Sequence, residues 1–327
     1  MKTRSHDNIL SDLLSSRDWL LADGATGTEL FKMGLKPGTA PELWNTDQPD
    51  NIASLYQNAI DAGCDIFLTN SFGGTSARLK LCDAADRVFE LNHAAARIAR
   101  QVADAAGRPV VVAGAIGPTG DILQPIGRLS YDDAFGMFLE QAQGLKSGGV
   151  DLVWIETMSS FEEYTAAAEA AVQAGLPWVG TMSFDSAGRT MMGITPSQLA
   201  HKVEGMAHPP LAYGANCGVG AAEMVRSVLD FAAQGLDRPI IAKASAGLPR
   251  EVDGQLRYLL TPAMMAEYAC LARDAGARII GGCCGTTPAH LKAMKDALET
   301  RPRGPRPTLE QVVAALGSLS SEEEDET

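Results

Sequence analysis

The segment Gly281-Gly282-Cys283-Cys284-Gly285-Thr286-Thr287-Pro288 follows the short apolar run Ala277-Arg278-Ile279-Ile280. A short apolar run bounded by glycine is typical of a buried β-strand. The segment therefore predicts a strand that ends in thiols, then a glycine turn, and then a helix. A strand that leads directly into a helix is the repeating unit of α/β folds, so we expect this chain to belong to that class.

A third cysteine has a similar setting in Gly214-Ala215-Asn216-Cys217-Gly218-Val219-Gly220. If both segments end strands of one sheet, Cys217, Cys283 and Cys284 can meet at the same edge. Three thiolates can hold Zn²⁺ and leave its fourth position for a substrate, which is the arrangement of a catalytic zinc and not of a structural one. We therefore predict a zinc site with these three ligands.

A simpler interpretation of the vicinal cysteines is also open, because cysteine is often buried as a small apolar residue. The matching Asn-Cys-Gly turn upstream favours the metal interpretation. The sequence has no Cys-x2-Cys pair and no His-x3-His pair, and this excludes the standard structural zinc modules.

Strand and helix patterns alternate eight times along the chain, which predicts a (β/α)8 TIM barrel. The predicted strands are Trp19–Asp23, Asp65–Thr69, Pro109–Ala115, Leu152–Glu156, Trp178–Ser183, Leu211–Asn216, Pro239–Lys243 and Arg278–Gly282. The predicted helices are Ile52–Ala62, Arg87–Ala106, Tyr131–Ser147, Phe161–Ala174, Ser197–Met206, Ala221–Gln234, Pro262–Ala275 and Pro288–Glu299. We expect an N-terminal extension at 1–14, the barrel at 15–300, and a C-terminal tail with an acidic end at 301–327. A doubly wound sheet is the alternative, but no Gly-x-Gly-x-x-Gly fingerprint follows the first strand.

In such a barrel the reactive groups lie at the carboxyl ends of the strands. Asp23 and Glu156 each come directly after an apolar strand segment. Either carboxylate can bind the ammonium group of a substrate. Each can equally cap the next helix or pair with a lysine of the barrel such as Lys243, and the sequence leaves both roles open.

The composition limits the partners of the protein. Its 327 residues carry a net charge of −13, which argues against binding to nucleic acid or to anionic membranes, because both need a basic patch. Six cysteines spread over the chain do not suggest a disulfide framework, and the sequence has no signal-peptide core and no long apolar run. We therefore expect a cytoplasmic protein.

Four motifs occur in a distinctive order: Asp-Gly-Ala-Thr-Gly-Thr from Asp23, Thr-Asn-Ser-Phe-Gly-Gly from Thr69, Gly-Ala-Asn-Cys-Gly from Gly214, and Gly-Gly-Cys-Cys-Gly-Thr-Thr-Pro from Gly281. This set resembles the homocysteine S-methyltransferase family over residues 15–300, with bacterial betaine–homocysteine methyltransferases as the closest type. The resemblance implies a (β/α)8 barrel in which the three cysteines hold zinc. It also implies a homocysteine site, with carboxylates for the amino group and backbone for the amino-acid end, formed by Asp23, Gly24, Ala25, Thr26, Glu156 and Asn216.

The chemistry agrees with that resemblance. A free thiol has a pKa of about 8.5 and is a weak nucleophile at neutral pH, whereas binding to zinc deprotonates it. The implied reaction moves a methyl group from a small onium donor to the homocysteine sulfur and gives methionine. The predicted partners are therefore homocysteine and a methyl donor, and the formation of a homo-oligomer is left open.

Betaine is the donor that we expect first, and the alternatives are S-methylmethionine, dimethylsulfoniopropionate and a methylcobalamin partner. Aromatic faces bind onium cations, so Trp44 and Phe72 are candidate walls of the donor site, although Trp44 can equally pack a long loop. Animal betaine enzymes carry a donor-contacting tyrosine after the phenylalanine that matches Phe72, and this chain has Gly73 there. A direct donor is favoured over a cobalamin relay because the barrel uses nearly all of the sequence.

Two other classes of function remain as alternatives. A metal-dependent barrel hydrolase would use histidine and carboxylate ligands, but the five histidines do not follow predicted strands. A non-catalytic protein would use the metal for stability alone.

Overall fold

This structure, a computed structural model, describes residues 9–185, 187–252 and 255–319. Its strands are β1 (Leu20–Leu21), β2 (Ile66–Leu68), β3 (Val111–Ile116), β4 (Leu152–Met158), β5 (Trp178–Met182), β6 (Tyr213–Cys217), β7 (Ile240–Ala244), β8 (Arg250–Val252), β9 (Gln255–Arg257) and β10 (Ala277–Gly282). Eight of them form one sheet in the order β1-β10-β7-β6-β5-β4-β3-β2, and every neighbouring pair is parallel. A parallel bridge between Ala22 and Ile66 joins the two edges, so the sheet is a nearly closed barrel.

Helices alternate with these strands along the chain. They are α1 (Ile9–Ser16), α2 (Gly27–Lys32), α3 (Trp44–Asp47), α4 (Pro49–Asp61), α5 (Ser76–Leu79), α6 (Val88–Ala105), α7 (Tyr131–Gly148), α8 (Phe161–Gln173), α9 (Pro196–Glu204), α10 (Ala221–Ala232), α11 (Pro262–Ala275), α12 (Pro288–Thr300) and α13 (Leu309–Leu316). Each of the eight predicted strands and eight predicted helices has its counterpart, with ends shifted by a few residues. The (β/α)8 TIM barrel prediction is confirmed.

The core has an inner and an outer part, because each barrel strand is covered on both faces. Strands β2, β3, β5 and β7 are buried along their whole length. Side chains that face the barrel interior, such as Trp154 and Ile241, form one apolar cluster, and those that face the helices form a larger one. Because the strands are buried on both faces, they are continuous apolar runs in the sequence, and this is why they can be predicted from it.

Helix α1 packs against the interior of the barrel. Leu10 and Leu13 belong to the same apolar cluster as the inward-facing strand residues. The guanidinium of Arg278, on β10, donates hydrogen bonds to the carbonyl oxygens of Leu14, Arg17 and Asp18, which tie this helix to the sheet. Part of the predicted N-terminal extension thus supplies core residues of the barrel. Its boundary with the barrel stays a prediction, and residues 1–8 lie outside the described residues.

The C-terminal tail packs on the helical layer. Val312 and Leu316 of α13 are buried in the outer cluster beside α10 and α11. Buried Arg273 of α11 donates hydrogen bonds to the carbonyl oxygens of Arg301 and Pro302, so the start of the tail is fixed as well. The acidic end, residues 320–327, lies outside the described residues.

Several elements are absent from the sequence-based prediction. Helices α1, α2, α3 and α5 have at most eight residues, and the β8–β9 hairpin has three residues in each strand. Elements of this length show too few repeats of a period to be recognised in a sequence. None of the described helices is both long enough and apolar enough to cross a lipid bilayer.

The close packing of β6 on β7 predicts opposite effects of two glycine-to-alanine changes. A Cβ at Gly214 would lie 2.0 Å from the carbonyl oxygen of Ile241, whereas a Cβ at Gly136 of α7 would meet no atom within 4 Å. We expect Gly214→Ala to lower the free energy of unfolding by more than about 2 kcal/mol, because the strands must separate. Gly136→Ala should raise it by about 0.5–1 kcal/mol. Urea denaturation followed by circular dichroism measures both, and equal effects would contradict the observed strand packing.

Candidate metal centre and substrate pocket

The three predicted cysteines meet at the carboxyl-terminal rim of the barrel. Cys217 ends β6, and Cys283 and Cys284 directly follow β10. Their sulfur atoms all lie within 4.8 Å of one another, and Cys217 Sγ lies 3.7 Å from Cys284 Sγ. Within residues 9–185, 187–252 and 255–319, no other group of three histidine, cysteine or acidic side chains is arranged to hold a metal ion.

This thiol cluster has the dimensions that a tetrahedral zinc site requires. Zinc–sulfur bonds of about 2.3 Å place two ligands of a tetrahedron about 3.8 Å apart. The hydrogen bonds among the thiols raise the pKa of Cys217 and lower that of Cys284, so that one thiolate is stabilised by its neighbours. Three thiolates at this separation would repel one another strongly without a cation between them. The donor set and its spacing therefore fit zinc.

The vicinal cysteines are held by a tightly bonded turn. The amide of Cys283 donates to Ala244 O on β7, and Cys284 O accepts a hydrogen bond from the amide of Ala246. The hydroxyl of Thr286 donates to Cys283 O at 2.6 Å and accepts from the amide of Ala25 at 3.1 Å. Because these bonds join the loops after β1, β7 and β10, the positions of the two thiols are fixed before any ligand binds.

Asn216, on β6, positions the end of β4, two strands away in the barrel. Its Oδ1 accepts hydrogen bonds from the amide of Thr157 at 2.8 Å and the hydroxyl of Thr181 at 2.7 Å, and its Nδ2 donates to Thr157 Oγ1. Thr157 and Cys217 both have left-handed backbones, with φ of 63° and 61°. Non-glycine residues adopt this conformation only when their surroundings hold them in it, as Asn216 does for Thr157. Its predicted role as a substrate ligand stays a prediction.

Asp23, Lys243 and Glu156 form a buried charged group behind the thiol cluster. Asp23 Oδ1 lies 2.6 Å from Lys243 Nζ, and its Oδ2 accepts a hydrogen bond from the amide of Leu68 at 2.7 Å. The structure therefore shows the pairing with Lys243 that the sequence left open. Burial raises the pKa of Asp23, and the Lys243 charge acts in the opposite direction. A carboxylate has about four lone-pair sites, so Asp23 retains capacity to accept a further donor.

Glu156 is the carboxylate of this group that faces the pocket. It is 8% exposed and accepts no hydrogen bond from the described part of the chain. Burial raises its pKa to about 8, although the charge of Lys243 opposes the shift. Lys243 is 2% exposed, and its Nζ lies 5.2 Å from the centre of the Trp154 ring. A buried acid with a raised pKa beside a reactive cluster is typical of a functional site.

A cavity of about 730 Å³ opens above these groups. Most of the predicted site residues line it: Gly24, Ala25, Thr26, Phe72, Glu156, Cys217, Cys283 and Cys284. Asp23 and Asn216 lie behind this lining, where they position Lys243 and Thr157. Trp44 packs against the outer core and does not line the cavity, so its position corresponds to the packing alternative.

Two charged residues of the cavity wall, Glu42 and Arg78, are missing from the sequence-based prediction. Glu42 is 3% exposed, and its Oε1 accepts a hydrogen bond from the amide of Gly73 at 2.7 Å. A Cβ at Gly73 would lie 3.1 Å from that oxygen, so the carboxylate occupies the space of a side chain at this position. The one signal in the sequence is an acidic residue within the otherwise uncharged segment Pro41-Glu42-Leu43-Trp44-Asn45.

Comparison with known proteins identifies the family to which this chain belongs. Residues 20–298 match the family model described as homocysteine S-methyltransferase. The chain belongs to the homocysteine S-methyltransferase family. The resemblance inferred from the four motifs is thereby confirmed, and the matched range runs from β1 to the last turn of α12.

Two relatives of this homocysteine S-methyltransferase family member are much longer than the chain itself. Methionine synthase of Mycobacterium tuberculosis is 31% identical over 309 residues, which are 90% of this chain but 26% of the synthase. Methionine synthase of Mycobacterium leprae is 30% identical over 97% of this chain and 27% of its own length. The chain thus spans about a quarter of the length of these curated relatives.

A solved structure of similar length is the metallated form of the homocysteine methyltransferase MmuM from Escherichia coli. It superposes with a TM-score of 0.72 and 25% identity, and the alignment covers 88% of this chain and 99% of MmuM. The oxidised form of MmuM gives a TM-score of 0.71 and 26% identity. The betaine-specific subtype inferred from the sequence stays a prediction.

The raised pKa of Glu156 predicts a pH-dependent stability difference for Glu156→Gln. The folded protein retains the Glu156 proton up to about pH 8, whereas the unfolded chain loses it near the ordinary glutamate pKa of 4.5. The wild-type protein therefore loses stability relative to the variant as pH rises from 4.5 to 8, by roughly 1.4 kcal/mol for each pKa unit covered. Above that window the difference should be constant.

Urea denaturation of both chelator-treated proteins at a series of pH values across and just above this window measures the effect. Stability profiles that remain parallel over the window would show that Glu156 titrates normally.

Proposed function

We propose that this protein transfers a methyl group from a small onium donor to the sulfur of homocysteine, giving methionine, with zinc held by Cys217, Cys283 and Cys284. The observation that carries the proposal is the thiol cluster, whose three sulfur atoms lie within 4.8 Å of one another. The cluster lines the cavity beside the buried carboxyl group of Glu156. Membership of the homocysteine S-methyltransferase family gives independent support. The existence of a metallated form of the similar enzyme MmuM is consistent with a metal at this place.

Cys217, Cys283 and Cys284 would hold zinc on the side of the cavity, where a substrate thiol can approach it. When bound, zinc would keep that thiol deprotonated at neutral pH and thus nucleophilic. Cys217, Cys283 and Cys284 contribute by holding three ligand positions from a preformed turn, which leaves one side facing the cavity. No general base is then needed, and this agrees with the absence of histidine from the cavity lining in the described residues.

The amino-acid part of homocysteine is oriented by the charged group behind the cluster. Glu156 faces the cavity and is placed to accept the ammonium group, whose charge would lower the carboxyl pKa and favour the ionised form. Asp23 supports that site through its ion pair with Lys243. The backbone of Gly24, Ala25 and Thr26 lines the same wall and would receive the carboxylate end, although the Ala25 amide already donates to Thr286.

The transfer itself is a displacement at the methyl carbon. It requires the sulfur, the methyl carbon and the departing heteroatom of the donor in one line, with water excluded. Betaine is the donor that we propose first, with S-methylmethionine, dimethylsulfoniopropionate and a methylcobalamin partner as alternatives. Phe72 on the cavity wall supports an onium donor, because an aromatic face attracts such a cation. A cytoplasmic location and a homo-oligomer stay predictions.

A barrel hydrolase has less support. It would need histidine and carboxylate ligands around an open metal position, but none of the described histidines lines the cavity. His93, His201 and His290 are on helices, and His290 bonds to Thr287 and Leu260.

Metal analysis tests the zinc site. We expect the purified protein to bind about one zinc ion per chain, and Cys217→Ser or Cys283→Ser to lose it, because three ligands are the minimum of such a site. Cys82→Ser is the matched control, since Cys82 is also partly exposed but lies outside the cluster and bonds to Gly38 O. Zinc retained in the first two variants, or lost equally in the control, would contradict the assignment.

An assay of methionine formation tests the reaction. The purified zinc protein is incubated with homocysteine and, separately, with betaine, dimethylsulfoniopropionate, S-methylmethionine or methylcobalamin. We expect methionine with at least one onium compound, and Glu156→Gln should lower kcat/KM for homocysteine about tenfold or more, because a charged hydrogen bond to the ammonium group is lost. Turnover with methylcobalamin alone would refute the direct donor, and no methionine with any donor would refute the function.

A further inference from the structure

The cavity wall also carries two charged residues, Glu42 and Arg78, to which the proposed function assigns no role. A volume of about 730 Å³ has room for two small molecules, since ligand pockets of about 300–1,000 Å³ hold drug-sized compounds. The thiol cluster comes from β6 and β10, whereas Phe72, Gly73 and Arg78 follow β2, which lies opposite β6 in the barrel order. The loops after β2 thus form a part of the cavity wall that carries no thiol.

Glu42 is fixed at this end by a bonded loop. Its carboxylate accepts from the Gly73 amide, and the loop that carries it is tied to the end of β2 by a pair of buried asparagines. Asn70 Nδ2 donates to Pro41 O and to Asn45 Oδ1, and Asn45 Nδ2 donates to Asn70 O. The Glu42 carboxyl group is thus held at one place on the wall next to Phe72.

Arg78 supplies a positive charge at the same end. It is partly buried on α5, and a Cβ at Gly120 would lie 3.0 Å from its Nη1, which places the guanidinium beside the loop after β3. Its side chain forms no ion pair or hydrogen bond with the described part of the chain. The acid next to Gly120, Asp121, pairs with Lys80 instead. The charge of Arg78 acts on Glu42 only at longer range, where it opposes the rise in the carboxyl pKa that burial causes.

We propose that Arg78 binds the carboxylate of the methyl donor, while Glu42 and Phe72 receive its methylated cationic centre. A guanidinium is the side chain best suited to a carboxylate, because its two N–H groups match the two oxygens. An unpaired guanidinium would repel a donor that carries only positive charge. The site therefore selects small zwitterions, in which a quaternary ammonium or sulfonium group and a carboxylate are separated by one or a few carbons. This inference rests on the proposed function, since it identifies the class of donor for that reaction.

Calorimetric binding of two matched probes tests the proposal without turnover. Betaine and tetramethylammonium share the methylated nitrogen, but only betaine has a carboxylate. Both are titrated into the zinc protein with and without homocysteine, and dimethylsulfoniopropionate with trimethylsulfonium forms a second pair. We expect the wild-type protein to bind the zwitterion of at least one pair more tightly than its cationic partner.

Two variants should then give different patterns. Arg78→Met should weaken binding of the zwitterion about tenfold or more without weakening the simple cation, because only the carboxylate contact is lost. Arg78→Lys should retain part of the affinity. Glu42→Gln should weaken zwitterion and cation alike, since it removes the charge but keeps an oxygen for the Gly73 amide. Lys292→Met, which removes an exposed positive charge on α12, is the charge-matched control.

Failure of this proposal and failure of the proposed function are distinguishable. Unchanged zwitterion affinity in Arg78→Met, or equal losses for zwitterion and cation, would overturn the role of Arg78. If the wild-type protein binds neither zwitterion, the role of Arg78 is also overturned, even if methionine forms from another donor. Conversely, if zwitterion binding depends on Arg78 but no methionine forms, the carboxylate site at Arg78 is supported and the methyl transfer is refuted.

Discussion

The site depends on the parallel register of three neighbouring strands. Ala244 of β7 pairs with Cys217 on one side and with Gly282 on the other, so the thiols after β6 and β10 reach the same height on the barrel. Ala244 itself belongs to the outer apolar cluster, and a regular strand would direct Cys217 toward the helices in the same way. The left-handed backbone of Cys217 ends the strand and brings its sulfur next to Cys284. A shift of one residue in either pairing would separate the ligands.

Charge balance is the second constraint on this rim. Asp23, Glu156 and the three thiols lie around the buried cation Lys243, in surroundings where isolated charges are costly. Burial disfavours the charge of Lys243, but Asp23 and Glu156 raise its pKa and hold it protonated. A divalent metal and the ammonium group of a substrate would each add positive charge where the protein has an excess of acids. The electrostatics of the chain therefore favour the two ligands that we propose.

The sequence predicts the parts of this protein that follow from local pattern. Eight apolar runs became the eight barrel strands, and the two Cys-Gly turns came together because strands of a barrel end at one rim. The role of Asn216 could not be predicted, since its partners Thr157 and Thr181 are distant in sequence and are reached only across neighbouring strands. Arg78 was missed for a similar reason, because a single arginine on a short helix shows no period and its position depends on loop geometry. For Trp44 the residue type left a donor wall and loop packing equally open, and the structure places the ring against the outer core.

The contact between Gly73 and Glu42 limits the paths by which this donor site can change. In the animal betaine enzymes a tyrosine stands at the position of Gly73, but here a Cβ at this position would lie 3.1 Å from Glu42 Oε1, which is closer than most Cβ contacts. A side chain at this position therefore requires the Glu42 carboxylate to move by a few tenths of an ångström. Because the Gly73 amide also holds that carboxylate, a substitution at either position affects the other.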